Sequence, residues 1–291
     1  MAFFTVPPDL PSMPAKKFLR QYCGISLSLW RKIKQTGSIE RCGIRILPND
    51  SILPGETLTV TWKIECNIPS TRLPLTIAFE DEYLLIVNKP PGMLVHPTVS
   101  REEDTLANAI MYYYGQHHLA LGFHPVHRLD RNTSGLILIA KRPDIQHQLI
   151  NTRKNISRFY QAVICGHPPN TSGTIDAPID RCPDSIIQRQ IAPTGQTAVT
   201  HYRLLETFPD ASLLELELET GRTHQIRVHL SGSGMPLIGD TLYGATSSLI
   251  QRQALHASRI IFQHPISEQL IAVESPLPED LKKLVMNLRS H

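Results

Sequence analysis

The segment from residue 124 to 140, HPVHRLDRNTSGLILIA, constrains the fold more than any other part of the chain. Residues 136–140 are a short apolar run, β-branched in part and bounded by Gly135 and Lys141, which is typical of a buried strand. Asp130 lies on the loop that leads into this strand. A polar residue on a loop anchored by a rigid sheet is a common arrangement for catalysis.

Asp130 lies between two arginines, Arg128 and Arg131. Guanidinium groups so close are expected to keep the carboxylate ionised at neutral pH. The plainer interpretation is a solvated ion pair on a turn, which is common on protein surfaces. Taken alone, the short HRLDR motif favours that plainer interpretation, so other segments must decide.

Four further segments occur in order along the chain: NKPPGMLVHP at 88–97, RFYQAVICG at 158–166, TGRTHQIRVHL at 220–230 and PLIGDTLYG at 236–244. With HRLDRNTSG they closely resemble the pseudouridine synthases of the Rlu family, which modify ribosomal and transfer RNA. The resemblance covers about residues 70–288. The departures are small: Asn132 replaces a usual acid, Met235 a usual histidine, Arg158 a usual lysine, and RQIA at 189–192 a more basic stretch.

The resemblance implies a catalytic set of Asp130, Arg227 and Tyr160. Asp130 would either attack the anomeric carbon of the uridine or remove the ribose 2′ proton to give a glycal, and the residues do not choose between these routes. Arg227 would form a salt bridge to Asp130 from a helix capped by Thr220 or Thr223, and Tyr160 would contact the uracil.

The resemblance also implies residues that contact the RNA. Arg128 would fill the gap left by a flipped base, since flipping leaves a hole in the stack. Leu237 and Ile238 would line the other side of the base. Lys89 and the backbone near Gly92 would contact phosphate.

The excess of positive over negative charge is concentrated in the N-terminal region. Residues 1–48 hold eight lysines and arginines against two acids, whereas the whole chain has a net charge of +3. Two predicted helices followed by a small β unit over 13–64 resemble an S-four-type RNA-binding domain, in which Lys32 and Lys34 would bind RNA. The plainer interpretation is a solvated helix face. We expect a linker at 65–73 and the catalytic domain at 74–291.

The order of the remaining elements predicts an α+β fold with a mixed, mainly antiparallel sheet, because many strands follow one another with few helices between them. The predicted strands lie near 76–88, 136–140, 158–165, 173–179, 196–206, 211–219, 256–263 and 269–274. The predicted helices lie near 105–114, 143–154, 223–230 and 278–288.

Composition excludes several other classes of protein. No apolar run approaches the roughly 20 residues of a membrane span. The five cysteines form no CxxC pair, which suits reduced thiols in a cytoplasmic protein. His124 and His127 lack a second ligand pair, so we expect no metal site. We also expect no cofactor and a monomer.

Two other functions remain open from the residues. A non-catalytic RNA-binding or ribosome-assembly protein would suit the basic N-terminal region, but would give Asp130, Tyr160 and Arg227 no role. A glycosidase or nucleoside hydrolase usually employs a pair of carboxylates, but Asp130 has no obvious acidic companion within the matched motifs, and Asp240 is interpreted as a turn residue. Among RNA substrates, large-subunit ribosomal RNA is the first expectation and transfer RNA the alternative.

Overall fold

The computed structural model describes residues 1–63, 67–98, 103–151, 156–244 and 246–290. Four sequence predictions fall partly outside these ranges: the strand end at Ile64, the linker residues 65–66, the helix end near Lys154 and the chain end at 291.

A small sheet with two helices forms the first unit. Its elements are β1 (Ala2–Thr5), β2 (Met13–Pro14), α1 (Ala15–Gln21), α2 (Leu27–Thr36), β3 (Ser38–Arg41), β4 (Ile44–Arg45), β5 (Ser51–Ile52) and β6 (Thr57–Thr61). The order in the four-stranded sheet is β1-β6-β3-β4. Ala2 and Val6 share one apolar core with Trp30 and Trp62. The unit therefore includes residues upstream of 13, the start that the sequence suggested.

A ten-stranded sheet dominates the second unit. Its elements are β7 (Ile77–Glu80), β8 (Leu84–Lys89), α3 (Leu106–Gln116), β9 (His124–Pro125), β10 (Ser134–Ala140), α4 (Pro143–Asn151), β11 (Ile156–Cys165), β12 (Ser172–Asp176), β13 (Ile179–Arg181), β14 (Arg189–Ile191), β15 (Val199–Phe208), β16 (Ala211–Leu218), α5 (Gln225–Gly232), β17 (Leu255–Gln263), β18 (Leu270–Glu274) and α6 (Glu279–Arg289). The main path is β12-β15-β16-β11-β17-β10-β8-β7, with β18 on β17 and β9 on β10. The β10–β17 pair is parallel, while β10–β8, β11–β16, β11–β17 and β15–β16 are antiparallel. The predicted α+β fold is confirmed.

Strand β10 is buried along its whole length. Ile137 and Ile139 face one apolar core, whereas Leu136 and Leu138 face another on the opposite side of the sheet. This explains why the sequence reads as a continuous apolar run rather than an alternating one. The loop that carries Asp130 therefore leads directly into a fixed central strand.

Gly135 allows the close approach of β10 to β17. Its φ is +115°, and a Cβ built there would lie 2.6 Å from the backbone nitrogen of Ala257 as well as against its carbonyl oxygen. Any other residue would clash with backbone that cannot move aside. The parallel pairing of Gly135 with Ala257 thus depends on this glycine.

The first unit packs against α4 of the second. Gln148 donates a hydrogen bond to the carbonyl of Cys23 at 3.3 Å. The Arg142 guanidinium lies 6.0 Å from the centre of the Phe4 ring and pairs with the fully buried Asp144. No helix in the described part of the chain is long and apolar enough to cross a membrane.

Candidate active site

Asp130 lies in the loop between β9 and β10, with 19% of its side chain exposed. Its carbonyl accepts a hydrogen bond from the Thr133 amide at 3.1 Å, which makes a tight turn before β10. The Arg227 Nη1 atom lies 3.2 Å from Oδ2 of Asp130. The structure thus brings together two residues that are 97 positions apart in the sequence.

Arg227 is held from behind by a second carboxylate, Asp240. Its Nε and Nη2 atoms each donate to Asp240 at 2.8 Å, and Asp240 is 1% exposed. Burial by itself would lower the pKa of Arg227, but the hydrogen bonds and charges of the two carboxylates hold that pKa above its ordinary value. Arg227 therefore stays charged and is fixed in a planar, two-pronged geometry.

The sequence interpretation of Asp240 as a turn residue was incomplete. Its Oδ1 atom does accept from the amides of Leu242 and Tyr243, as a turn aspartate would. The same carboxylate is also the buried anchor of Arg227. A detectable signal was present, since Asp240 is an acid within the mostly apolar segment PLIGDTLYG.

His224 is a further residue of the site that the sequence interpretation missed. Its Nε2 atom lies 3.8 Å from Oδ2 of Asp130, and its Nδ1 atom lies 2.8 Å from the Tyr243 hydroxyl. That hydroxyl accepts from the Arg189 amide at 2.7 Å, so we assign its own proton to Nδ1 of His224. Burial lowers the pKa of His224, more than the nearby Asp130 raises it. A neutral imidazole with Nε2–H toward Asp130 results.

The predicted cap of α5 was wrong. The helix begins at Gln225, and the residue before it is His224 in the left-handed conformation with φ of +57°. Thr220 instead donates to the Gln225 side chain at 2.8 Å and accepts from the Val199 amide at 2.9 Å. The left-handed turn is what directs the imidazole of His224 toward Asp130.

Tyr160 lies on β11, opposite Leu216 of β16 and Ala257 of β17. It is 4% exposed and lines the same cavity as Asp130. The cavity wall consists of residues from the Asp130 loop, β11 and the start of α5: His127, Arg128, Leu129, Asp130, Thr133, Arg158, Tyr160, Leu218, Gly221, Arg222, Thr223, His224, Gln225, Ile226, Arg227 and Leu255. Asp130, Tyr160, Arg227 and the exposed Arg128 therefore line one cavity.

Leu237 and Ile238 are not in this wall. Leu237 is 1% exposed in the main core, and Ile238 packs in the core that includes α6. The apolar part of the wall comes instead from four residues on other elements: Leu129, Leu218, Ile226 and Leu255. The expectation that Leu237 and Ile238 line the base site is corrected accordingly.

Lys89 does not reach the surface, contrary to the expected phosphate contact. It is fully buried, and its Nζ atom donates to the carbonyls of Pro90, Met93 and Arg131 at 2.8–2.9 Å. Burial, with the charge of Arg252, lowers the pKa of Lys89 to about 7. All three of its donors are occupied, so Lys89 ties the loop after β8 to the residue that follows Asp130.

The basic residues of α2 lie outside the Asp130 cavity. Lys34 is exposed, and Lys32 is half-buried in a groove between the two units, beside Trp62 and His124. Burial lowers the pKa of His124 to about 4. In the described part of the chain, no group of three or more His, Cys, Asp or Glu residues could hold a metal ion.

Comparisons with known proteins identify the family. The profile of the RNA pseudouridylate synthase family matches residues 83–232. The uncharacterized RNA pseudouridine synthase YjbO of Bacillus subtilis is 40% identical over 90% of this chain and 95% of its own. The ribosomal large subunit pseudouridine synthase D of Escherichia coli K12 is 37% identical over 84% of this chain and 80% of its own.

A solved structure supports the same assignment. The human RNA pseudouridylate synthase domain containing 4 superimposes with a TM-score of 0.60 and 26% identity, over 74% of this chain and 93% of that one. The family profile spans both Asp130 and Arg227. This chain belongs to the Rlu-type RNA pseudouridine synthases, which are isomerases that act on RNA.

Proposed function

We propose that this protein converts specific uridines of large-subunit ribosomal RNA to pseudouridine, with Asp130 as the reacting carboxylate. The observation that carries the proposal is the contact of Asp130 with Arg227 at 3.2 Å inside a cavity that Tyr160 also lines. The choice of RNA rests on relatives whose names specify the large ribosomal subunit.

The reaction breaks the bond between uracil N1 and ribose C1′ and rejoins the uracil through C5. Asp130 serves either by attacking C1′ or by accepting the 2′ proton, and both routes need an ionised carboxylate. The guanidinium of Arg227 stabilises that charge and fixes the direction of the carboxylate. Because Asp240 holds Arg227, the pair is preorganised before RNA arrives.

Binding a base from structured RNA requires it to leave the stack, which costs a few kcal/mol. Arg128 is exposed at the rim of the cavity, two residues before Asp130. It would occupy the space that the flipped base leaves. Tyr160, a buried residue of the cavity wall, would contact the uracil through its ring.

The N-terminal unit would add affinity rather than chemistry. Lys32 and Lys34 lie on α2, outside the Asp130 cavity, so they cannot act on the ribose. A longer RNA could contact both α2 and the cavity at once. Electrostatic contacts of this kind strengthen binding to RNA of any sequence.

We expect a monomer that works in the cytoplasm. The described cysteines, Cys23, Cys42, Cys165 and Cys182, are unpaired, which suits a reducing compartment. Size-exclusion chromatography with light scattering would test the oligomeric state.

The decisive experiment combines cells and purified enzyme. Pseudouridines would be mapped in total RNA from cells with and without the gene, and RNA carrying tritium at C5 of the mapped uridine would be incubated with the protein. We expect tritium release, unchanged RNA mass and activity that survives chelation. Free uracil would indicate a hydrolase, and tight binding without tritium release would indicate a binding or assembly protein.

A further inference from the structure

Arg158 is a buried cation in the wall of the Asp130 cavity. It is 4% exposed and lies on β11, two residues before Tyr160. Arg227, in the same wall, meets two carboxylates. Among the described residues, no carboxylate lies within ion-pair distance of Arg158, so the two guanidinium groups differ in what neutralises them.

The hydrogen bonds of Arg158 leave part of its guanidinium unused. Nη2 donates to the carbonyls of Leu218 at 3.3 Å and Thr220 at 3.2 Å. Nε is enclosed and meets no acceptor among the described residues. Nη1 lies beside Gly221, where an added Cβ would be 2.9 Å from it. Since Gly221 also lines the cavity, Nη1 is the donor placed at the cavity wall.

A buried guanidinium without an anion is costly. Arginine cannot lose its proton in a protein, so it stays charged. Desolvating such a charge costs several kcal/mol unless a partner compensates. A ligand that becomes negative inside the cavity would supply that compensation.

The reaction creates such a ligand. When the bond between N1 and C1′ breaks, both electrons leave with the uracil, and the charge spreads over N1 and the two carbonyl oxygens. The electron deficiency left at C1′ is relieved when Asp130 bonds to C1′ or, in the glycal route, when Asp130 takes the 2′ proton. The uracil then bonds to C1′ through C5; as this bond forms, the Asp130 carboxylate leaves C1′ with its bonding electrons or, in the glycal route, returns the proton to C2′. The proton lost from C5 is matched by one gained at N1.

We propose that Nη1 of Arg158 donates to a carbonyl oxygen of the target uracil and stabilises the uracil anion while it is detached. This inference rests on the proposed function. The burial of Arg158 favours the base over a phosphate as its ligand, because Arg158 is almost fully enclosed whereas Arg128 is exposed at the rim of the cavity. A fixed charge aimed at a developing anion is an effective form of catalysis.

Two substitutions and two substrates test the proposal. Single-turnover rates would be measured for wild type, Arg158→Met and Arg158→Lys, on RNA with uridine or 5-fluorouridine at the target position, by loss of the parent nucleoside. Fluorine at C5 makes the uracil anion more stable, so the rate should depend less on stabilisation of that anion by Arg158. We expect Arg158→Met to lose roughly 10²-fold in rate on uridine RNA and clearly less on 5-fluorouridine RNA, and Arg158→Lys to recover part of the loss.

A second variant probes the same atom without removing the charge. Gly221→Ala places a methyl group against Nη1 and should slow uridine conversion, whereas Gly115→Ala, where the added Cβ meets no atom, should not. Melting temperatures identify variants that fail to fold.

Three outcomes are decisive. Equal rate losses of Arg158→Met on the two substrates would overturn the inference, because the rate loss caused by a purely structural defect would not depend on the stability of the uracil anion. Weaker RNA binding with an unchanged single-turnover rate would also overturn it and assign Arg158 to phosphate. If wild type converts neither substrate, the proposed function itself fails, and that result is distinct from either of the others.

Discussion

Arg227 and Asp240 form a buried, two-pronged ion pair, with both hydrogen bonds at 2.8 Å. The remaining Nη1 atom of Arg227 then points to Asp130. Asp240 is therefore a positioning residue: it does not line the cavity but sets the direction of the residue that does.

We predict that Asp240→Asn impairs both stability and rate. The amide keeps the shape but presents N–H groups to a guanidinium that also only donates. Breaking one side of a buried pair costs about 3–5 kcal/mol. Chemical denaturation and single-turnover kinetics would measure the two effects.

Glu206→Gln is the matched control for that variant. Glu206 also forms a two-pronged pair with arginine, with Arg289 at 2.7 Å for both contacts, but at the surface. We expect a change of about 0–1 kcal/mol and a normal rate. If Asp240→Asn behaved like Glu206→Gln, Asp240 would have no role in placing Arg227.

Asp130→Asn should abolish turnover while leaving the fold and RNA affinity nearly intact. The amide occupies the same volume but can neither attack C1′ nor accept a proton. Filter binding, melting temperature and tritium release would be measured on one preparation. Substantial turnover by this variant would refute the role of Asp130 as the reacting group.

The sequence predicted the sheet better than it predicted the site. The continuous apolar run of β10 indicates a strand that is buried on both faces. This pattern is local in the sequence, and the structure confirms the burial. Asp240 and Lys89 act through contacts with residues 13 and 42 positions away. Periodicity contains no information on such contacts.

Two site predictions failed for local reasons. The helix α5 starts after a left-handed residue, and His224 lacks the glycine signature that usually marks such a position. Leu237 and Ile238 were assigned to the cavity by resemblance, but both belong to apolar cores. The sequence pattern does not distinguish an apolar residue in a core from an apolar residue in a cavity wall.

Acid should destabilise the protein through His256. Its Nε2–H donates to the Ser275 carbonyl at 3.3 Å, and its Nδ1 lies 3.0 Å from the Ser134 hydroxyl. Burial lowers the pKa of His256 from 6.5 to about 4. The unfolded chain therefore binds the proton first, and stability present above pH 6.5 is lost as pH falls toward 4.

The loss should amount to about 3 kcal/mol from His256, at 1.36 kcal/mol for each pH unit of that window. Urea unfolding between pH 7.5 and 4 would measure it. His256→Gln should be less stable at pH 7 but flatter with pH, whereas His118→Asn, at an exposed turn, should keep the wild-type slope. An unchanged slope in His256→Gln would contradict the assignment.

Gly135→Ala should be strongly destabilising, by about 2–5 kcal/mol, because strain at positive φ adds to a clash with the Ala257 backbone. Gly55→Ala provides the control, since Gly55 also has positive φ, of +80°, but open space around it. Its cost should be only the conformational part, about 1–2 kcal/mol. Equal costs for the two variants would mean that the approach of β10 to β17 is not tight.

Lys32→Gln with Lys34→Gln should weaken RNA binding without slowing the chemical step. Both side chains lie on α2, outside the Asp130 cavity, and each lost phosphate contact should reduce the log–log salt slope of binding by about 0.7–0.9. Lys282→Gln with Lys283→Gln removes the same charge from α6, where both residues are exposed, and should leave the slope unchanged. The paired comparison matters because lowering the net charge by two weakens binding to any polyanion. If both double variants reduced the slope equally, the effect would be one of net charge, and α2 would have no special part in RNA binding.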